Sequence, residues 1–291
     1  MFTGSMVALV TPFKKGKIDE AKIPELVEYQ ISKGTDVICP CGCTGEAATL
    51  NHDEQVYIIE ITVEAVNRRA KVIAGTGSNS TEEAIILTRR AKQAGADGAL
   101  MITPYYNKPT QRGLMLHYEK VAAEVDIPIM LYNVPGRTGV NMTPETVAEL
   151  SEIENIVAIK EASGNVDQVS AILSMCDITV LSGDDSLTLP MLAVGAKGVV
   201  SVAANVAPAE VAALIDSFNS CNMEEARQIH YQLLPLFKVL FCETNPIPVK
   251  RALNMMGLIE NELRSPLFPL SPENEPKLRK VLEELNLLEL V

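Results

Sequence analysis

Lys160 ends the apolar run Ile156-Val157-Ala158-Ile159 and is followed at once by Glu161-Ala162-Ser163-Gly164. Such a run reads as a strand of a parallel sheet, covered on both faces. An ammonium at its end is costly to bury without a partner. The same desolvation lowers its pKa and frees the neutral amine that imine formation needs. The ordinary alternative is a lysine that snorkels from a strand end into solvent. Which strand carries Lys160 decides between the two.

Three other segments hold residues suited to the same chemistry. Gly42-Cys43-Thr44-Gly45-Glu46 sets small polar residues between glycines, so its backbone can approach a ligand closely. Its free N–H groups and the Thr44 hydroxyl suit a small carboxylate, although a tight strand-to-helix turn explains the glycines as well. Thr103-Pro104-Tyr105-Tyr106-Asn107 and Tyr132-Asn133-Val134-Pro135-Gly136-Arg137 add tyrosine hydroxyls and one guanidinium. Tyrosines can simply cap a core. Arg137 offers a planar fork for a carboxylate, or else a structural salt bridge.

The elements that must position these groups are legible as a pattern. Apolar, β-branched runs recur at Met6–Val10, Val37–Cys41, Lys71–Gly75, Gly98–Thr103, Ile127–Tyr132, Ile156–Lys160, Ile178–Ser182 and Gly198–Val202. Helical patterns separate them. Ser80 with Glu83 reads as a capping box closed at Gly95. Thr143-Pro144 and Ala207-Pro208 place proline at a first helical position, and Ile23, Leu26, Val27 and Ile31 share one face before Gly34. Eight strand–helix units predict an α/β (β/α)8 TIM barrel rather than an open doubly wound sheet. Strand patterns stop near Pro208, and one later helix is expected from Ser271-Pro272 to about Leu287. Residues 1–207 therefore read as the barrel through its eighth strand, and 208–291 as its last helix with a C-terminal helical extension suited to packing or assembly. In such barrels chemistry sits at the C-terminal strand ends, which is where Lys160, the glycine loop, both tyrosine segments and Arg137 fall.

Other readings are narrowed by what the chain lacks. Its 291 residues, 47% hydrophobic, can bury a large core, and barrels of this length commonly form one domain. A net charge of −12 without a run of basic residues argues against nucleic acid and anionic membranes as partners. Apolar stretches stay below membrane-spanning length, and the start at Met1-Phe2-Thr3 leads into a strand-like run rather than a signal peptide. The six cysteines suggest reduced thiols in a cytoplasmic protein. Cys39, Cys41 and Cys43 alternate and are expected to share one strand face as packing. His52, His117 and His230 all fall in helical segments, and no His/Asp/Glu cluster has metal-ligand spacing, so no metal is expected. Gly183-Asp184-Asp185 is acidic where phosphate-binding barrels present amides, and Gly75-Thr76-Gly77 lacks a Walker lysine. The residues point to Schiff-base chemistry on a small keto acid, with no cofactor beyond a covalent imine at Lys160.

At these positions the chain resembles the dihydrodipicolinate synthase (4-hydroxy-tetrahydrodipicolinate synthase) family of pyruvate-dependent class I aldolases. The resemblance runs from Met6–Phe13 to the C-terminal helices. Its most specific pieces are Gly42–Glu46 with Ala48–His52, Thr103–Pro109, Leu131–Gly139, Ile159–Ser163, Ser182–Asp185 and Asn245–Lys250. It implies a lyase that condenses pyruvate with L-aspartate 4-semialdehyde to 4-hydroxy-tetrahydrodipicolinate, the entry step of the diaminopimelate and lysine pathway. It implies that Lys160 forms the imine, that Tyr132 carries protons, and that Tyr106 continues the relay from across a dimer interface. Thr44 would hold the pyruvate carboxylate and Arg137 that of the semialdehyde, with Gly183 and the Val200 carbonyl close by. The implied assembly is a homotetramer, a dimer of dimers.

Cys43 departs from the family's usual threonine in the relay; a thiol donates weakly and can be oxidised. His52, Asn79, Glu83 and Tyr105 match a lysine effector site in part, whereas Gln55 stands where lysine-sensitive members often carry histidine. Two alternatives remain on the sequence. One is a sialic acid or 2-keto-3-deoxy sugar acid lyase, which has less need of Arg137. The other is a non-catalytic barrel that binds a keto acid.

Overall fold

Strand and helix follow one another as the hydrophobic pattern requires in the computed structural model, which describes residues 2–288. Met1 and residues 289–291, the outer ends of the expected ranges 1–207 and 208–291, lie outside the described residues. The barrel strands are β1 (Gly4–Ala8), β2 (Val37–Cys39), β3 (Lys71–Gly75), β4 (Gly98–Ile102), β5 (Ile129–Asn133), β6 (Ile156–Glu161), β7 (Thr179–Ser182) and β8 (Gly198–Ser201). They pair in parallel and in chain order, and β1 pairs with both β2 and β8, so the sheet closes. A helix follows each strand: α1 (Lys22–Ile31), α2 (His52–Val66), α3 (Thr81–Gln93), α4 (Gln111–Glu124), α5 (Pro144–Ser151), α6 (Val166–Met175), α7 (Thr188–Ala193) and α8 (Pro208–Asn219). The extension is α9 (Met223–Val239), α10 (Ile247–Met255) and α11 (Glu275–Glu284).

Period-two alternation decides which strand residues meet inside the barrel. Met6, Cys39, Ile73, Met130, Ala158 and Leu181 fill the interior. Their neighbours in sequence, such as Val7 and Ile159, pack outward under the helices. Lys160 has the parity of Ala158 and therefore points inward, beyond the apolar layers. The extension does not stand apart. Leu233, Leu253 and Leu278 share one apolar cluster with Val7 of β1. Among the described residues no helix is long and apolar enough to cross a membrane.

Several local expectations need correction. β5 begins at Ile129 rather than Ile127, because Pro128 has no N–H to give the ladder. Ser80 accepts from the Glu83 N–H as a cap, but the Glu83 carboxylate turns away to His52 and Ser78, so the box is half made. Asn51 and Glu54 form a complete one at the start of α2. Ser271 does not start the last helix, which begins at Glu275; its N–H and hydroxyl go to the Glu243 carboxylate. Cys39 and Cys41 do not share a face. β2 ends at Cys39, Cys41 adopts φ 57°, and its thiol packs outside the barrel while Cys39 packs inside. Gly75 of β3 lets the chain turn there, since a Cβ on it would strike the Cys41 carbonyl.

Candidate active site

Lys160 and Tyr132 face each other across adjacent strands. They are register partners on β6 and β5, and the Lys160 Nζ lies 4.2 Å from the centre of the Tyr132 ring. Lys160 is 5% exposed. Burial lowers its pKa from the ordinary lysine value, and the nearby Cys43, Cys39, Asp184 and Asp185 oppose that shift. Burial likewise raises the pKa of Tyr132 well above an ordinary phenol, with Cys43 adding to the rise and Arg137 opposing it. Space for the lysine comes from Gly183 at the end of β7. A Cβ there would lie 2.6 Å from the Ala162 Cβ and 3.1 Å from the Lys160 Cε.

The next residue along each of these strands secures that geometry. Asn133 and Glu161 are also register partners, facing the helices rather than the lumen. Asn133 Nδ2 donates to Glu161 Oε2 at 3.0 Å, and Gln168 of α6 donates to the same oxygen at 3.1 Å. Burial pushes the Glu161 carboxyl up, against donors from Ser163, Asn133 and Gln168 that hold it down. Sequence reading passed over this pair, although period two places both on one face. The acidic turn after β7 has a structural use as well. Asp185 accepts from Val202 N and Ala203 N, each at 3.1 Å, and from the Ser201 hydroxyl, which ties the end of β7 to that of β8.

A cavity of about 430 Å³ opens beside Tyr132. Cys43, Tyr132 and Arg137 line it, and so do His52, Glu83 and Tyr105. Thr44 is buried beside this region and accepts from Asn245 Nδ2 at 2.9 Å. Val200 lies in the barrel interior, one strand from Gly183. Arg137 forms no ion pair among the described residues; its guanidinium donates to the Asn245 carbonyl at 3.0 Å. Tyr106 stands apart from the other candidates. It is 89% exposed, with φ at 73°, a backbone conformation that bulky residues rarely adopt.

His52, Glu83 and Tyr105 share the cavity lining with Ser78, the chain neighbour of Asn79. His52 Nε2 lies 2.8 Å from Glu83 Oε1. Burial raises the Tyr105 pKa and Glu83 adds to the rise, whereas Ser78 and the Asn79 backbone oppose it; Asn107 Nδ2 donates to the Asn79 carbonyl at 2.8 Å. Gln55 is buried and gives its amide to the Ala47 and Leu50 carbonyls.

Two further residues were missed as parts of the site because they lie far along the chain, in the extension. Asn245 touches both Thr44 and Arg137. Lys250 meets Glu46, the last residue of the glycine loop, at 2.5 Å with both side chains fully buried. The one sequence signal was Asn245-Pro246-Ile247-Pro248, a proline-punctuated helix start within a segment that already carried the resemblance.

Known proteins resemble this chain along nearly its whole length. Residues 1–285 match the Dihydrodipicolinate synthetase family. The 4-hydroxy-tetrahydrodipicolinate synthase of Geotalea daltonii is 59% identical over 290 residues, covering 99% of this chain and all of the relative. The crystal structure of dihydrodipicolinate synthase from Aquifex aeolicus superposes with a TM-score of 0.97 at 55% identity, covering 98% of this chain and 99% of that one. The chloride-inhibited enzyme from Acinetobacter baumannii, complexed with pyruvate, gives a TM-score of 0.97 at 44% identity, covering 99% and 100% of the two chains. With the family matched along nearly its whole length and relatives this similar end to end, the chain belongs to the dihydrodipicolinate synthetase family.

Proposed function

We propose that Lys160, through an imine with pyruvate, carries out the 4-hydroxy-tetrahydrodipicolinate synthase reaction of this chain, the entry step of lysine biosynthesis. The observation that carries the reading is the Lys160 amine, buried at the C-terminal end of a barrel strand over the Tyr132 ring. Its lowered pKa favours the neutral form, which attacks the pyruvate keto carbon. Loss of water gives the imine, and loss of a methyl proton gives the enamine. The enamine carbon then attacks the semialdehyde carbonyl, whose oxygen takes up a proton. The amine of the bound aldehyde closes the ring on the imine carbon and expels Lys160.

The other residues take roles consistent with their places. Tyr132, which lines the cavity with Cys43, moves protons at the imine and the aldehyde. Thr44 donates to the pyruvate carboxylate, with Gly183 and the Val200 carbonyl beside the reacting carbon. Arg137, exposed at the cavity and free of an ion pair among the described residues, takes the semialdehyde carboxylate. That free fork also favours an acidic aldehyde over a sugar acid. Pyruvate as substrate has support from the relative that was complexed with it. Tyr106 reaches outward, which suits a relay residue given to a neighbouring copy within a dimer of dimers. His52, Asn79, Glu83 and Tyr105 form the region for a lysine effector. All six cysteines are free thiols, which suits the cytoplasm.

Reduction of the chain with borohydride in the presence of pyruvate tests the mechanism. One adduct per chain, mapped to Lys160, is expected, together with consumption of aspartate 4-semialdehyde in a coupled assay. An adduct on another lysine would overturn the mechanism. Trapping without consumption of semialdehyde would leave only a keto-acid-binding barrel.

A further inference from the structure

Asn245 sits where the two halves of the substrate site meet. Its Nδ2 donates to Thr44 Oγ1 at 2.9 Å, and its backbone carbonyl accepts from the Arg137 guanidinium at 3.0 Å. The residue is 5% exposed and lines the same cavity as Tyr132 and Cys43. Its Oδ1 is buried with no donor among the described residues. A buried amide with one end unsatisfied costs stability, so packing alone accounts poorly for this side chain.

The direction of the Asn245–Thr44 bond bears on substrate binding. A threonine hydroxyl has one proton to give. By accepting from Nδ2, Thr44 keeps that proton for an anion. With the amide turned over, Oδ1 would take the proton and the carboxylate would lose its donor. The position of Asn245 is itself held. Five residues along, Lys250 grips Glu46 at 2.5 Å, and the Arg264 N–H donates to Glu46 Oε2 at 3.1 Å. Glu46 ends the loop that carries Thr44 and has φ at 55°. Loop and C-terminal segment are therefore joined at two points, Thr44 and Glu46.

We infer that Asn245 is a positioning residue that couples the two carboxylate subsites, keeping Thr44 a donor toward pyruvate and Arg137 placed for the second substrate. The inference rests on the roles proposed above for Thr44 and Arg137. It gives the extension a part in substrate recognition beyond packing.

Steady-state kinetics on the full chain test it, with borohydride trapping of the wild type as the reference. Asn245→Ala should raise the pyruvate KM about tenfold, the worth of one hydrogen bond beside a charged group, and the semialdehyde KM by roughly threefold, with kcat little changed. Asn245→Asp, which can only accept and adds a negative charge, should raise the pyruvate KM by about a hundredfold. In a Thr44→Val background, Asn245→Ala should no longer affect the pyruvate KM yet should still raise that for the semialdehyde. Thermal unfolding serves as the folding control. If Asn245→Asp fails to fold, Asn245→Ala and the double-variant comparison still decide. A pyruvate KM within about twofold of wild type in Asn245→Ala, or effects that simply add to those of Thr44→Val, would overturn the inference while leaving Lys160 chemistry intact. Absence of a Lys160 adduct in the wild type would overturn the underlying reading, and this inference with it.

Discussion

Lys160 and Lys250 are both buried, and each ammonium lies over an aromatic face. The Lys160 Nζ is 4.2 Å from the Tyr132 ring centre, and the Lys250 Nζ is 4.3 Å from that of Phe13. Burial lowers the pKa of both. Their partners differ. Lys250 is answered by the Glu46 carboxylate at 2.5 Å, whereas Lys160 has no ion-pair partner among the described residues and feels only the fields of Cys43, Cys39, Asp184 and Asp185. Burial alone therefore does not make an amine a nucleophile. Burial without a paired carboxylate does, because the fields around Lys160 only partly offset the cost of the charged form.

Exchanging each lysine for methionine should separate these roles. Lys160→Met should abolish pyruvate trapping while leaving the unfolding midpoint unchanged or raised, since it removes an unpaired buried ammonium. Lys250→Met should strand the Glu46 carboxylate and cost about 3–5 kcal/mol in denaturant unfolding. Equal destabilisation by the two substitutions would break the comparison.

Arg137→Ala tests a charge left free for substrate. Loss of a charge-assisted contact worth about 1.5–3 kcal/mol should lower kcat/KM for the semialdehyde by roughly ten- to a hundredfold. Borohydride trapping of pyruvate should be nearly unaffected, and parallel loss of both would refute the assignment.

Cys43→Thr probes the relay beside Lys160. A hydroxyl makes shorter, stronger bonds than a thiol, so kcat should rise by about tenfold, or ~1.4 kcal/mol of barrier. Cys43→Val, which keeps the bulk and removes the donor, should lower kcat. Equal turnover by the valine variant and the wild type would remove the thiol from the relay.

The smallest effect expected is a pH shift. Asp184 helps to hold the Lys160 ammonium charged, so Asp184→Asn should lower the pKa of Lys160 further. Trapping depends on the neutral amine and rises with pH through that pKa, so its inflection should move to lower pH in the variant. A shift to higher pH would contradict the sign of this interaction.

The barrel was legible because strand alternation and helix periodicity are local properties of the chain. Lys160, Tyr132, Thr44 and Arg137 were legible as candidates because they follow strand runs, and barrel ends gather whatever follows them. Features that depend on local competition were read less well. The Glu83 carboxylate had nearer partners in His52 and Ser78 than its own helix cap, and the left-handed turn at Cys41 broke an alternation that spacing alone suggested.

Residue order therefore sufficed for the strand count and for placing Lys160, Tyr132, Thr44 and Arg137 after strand runs, since strand and helix periods follow from backbone geometry. Folding alone supplied the contacts between distant segments: Asn245 on Thr44, Lys250 in the glycine loop, and Gly183 making room for the Lys160 side chain. No local pattern encodes these, because each depends on where the closed sheet and the returning C-terminal helices bring residues that are remote in sequence.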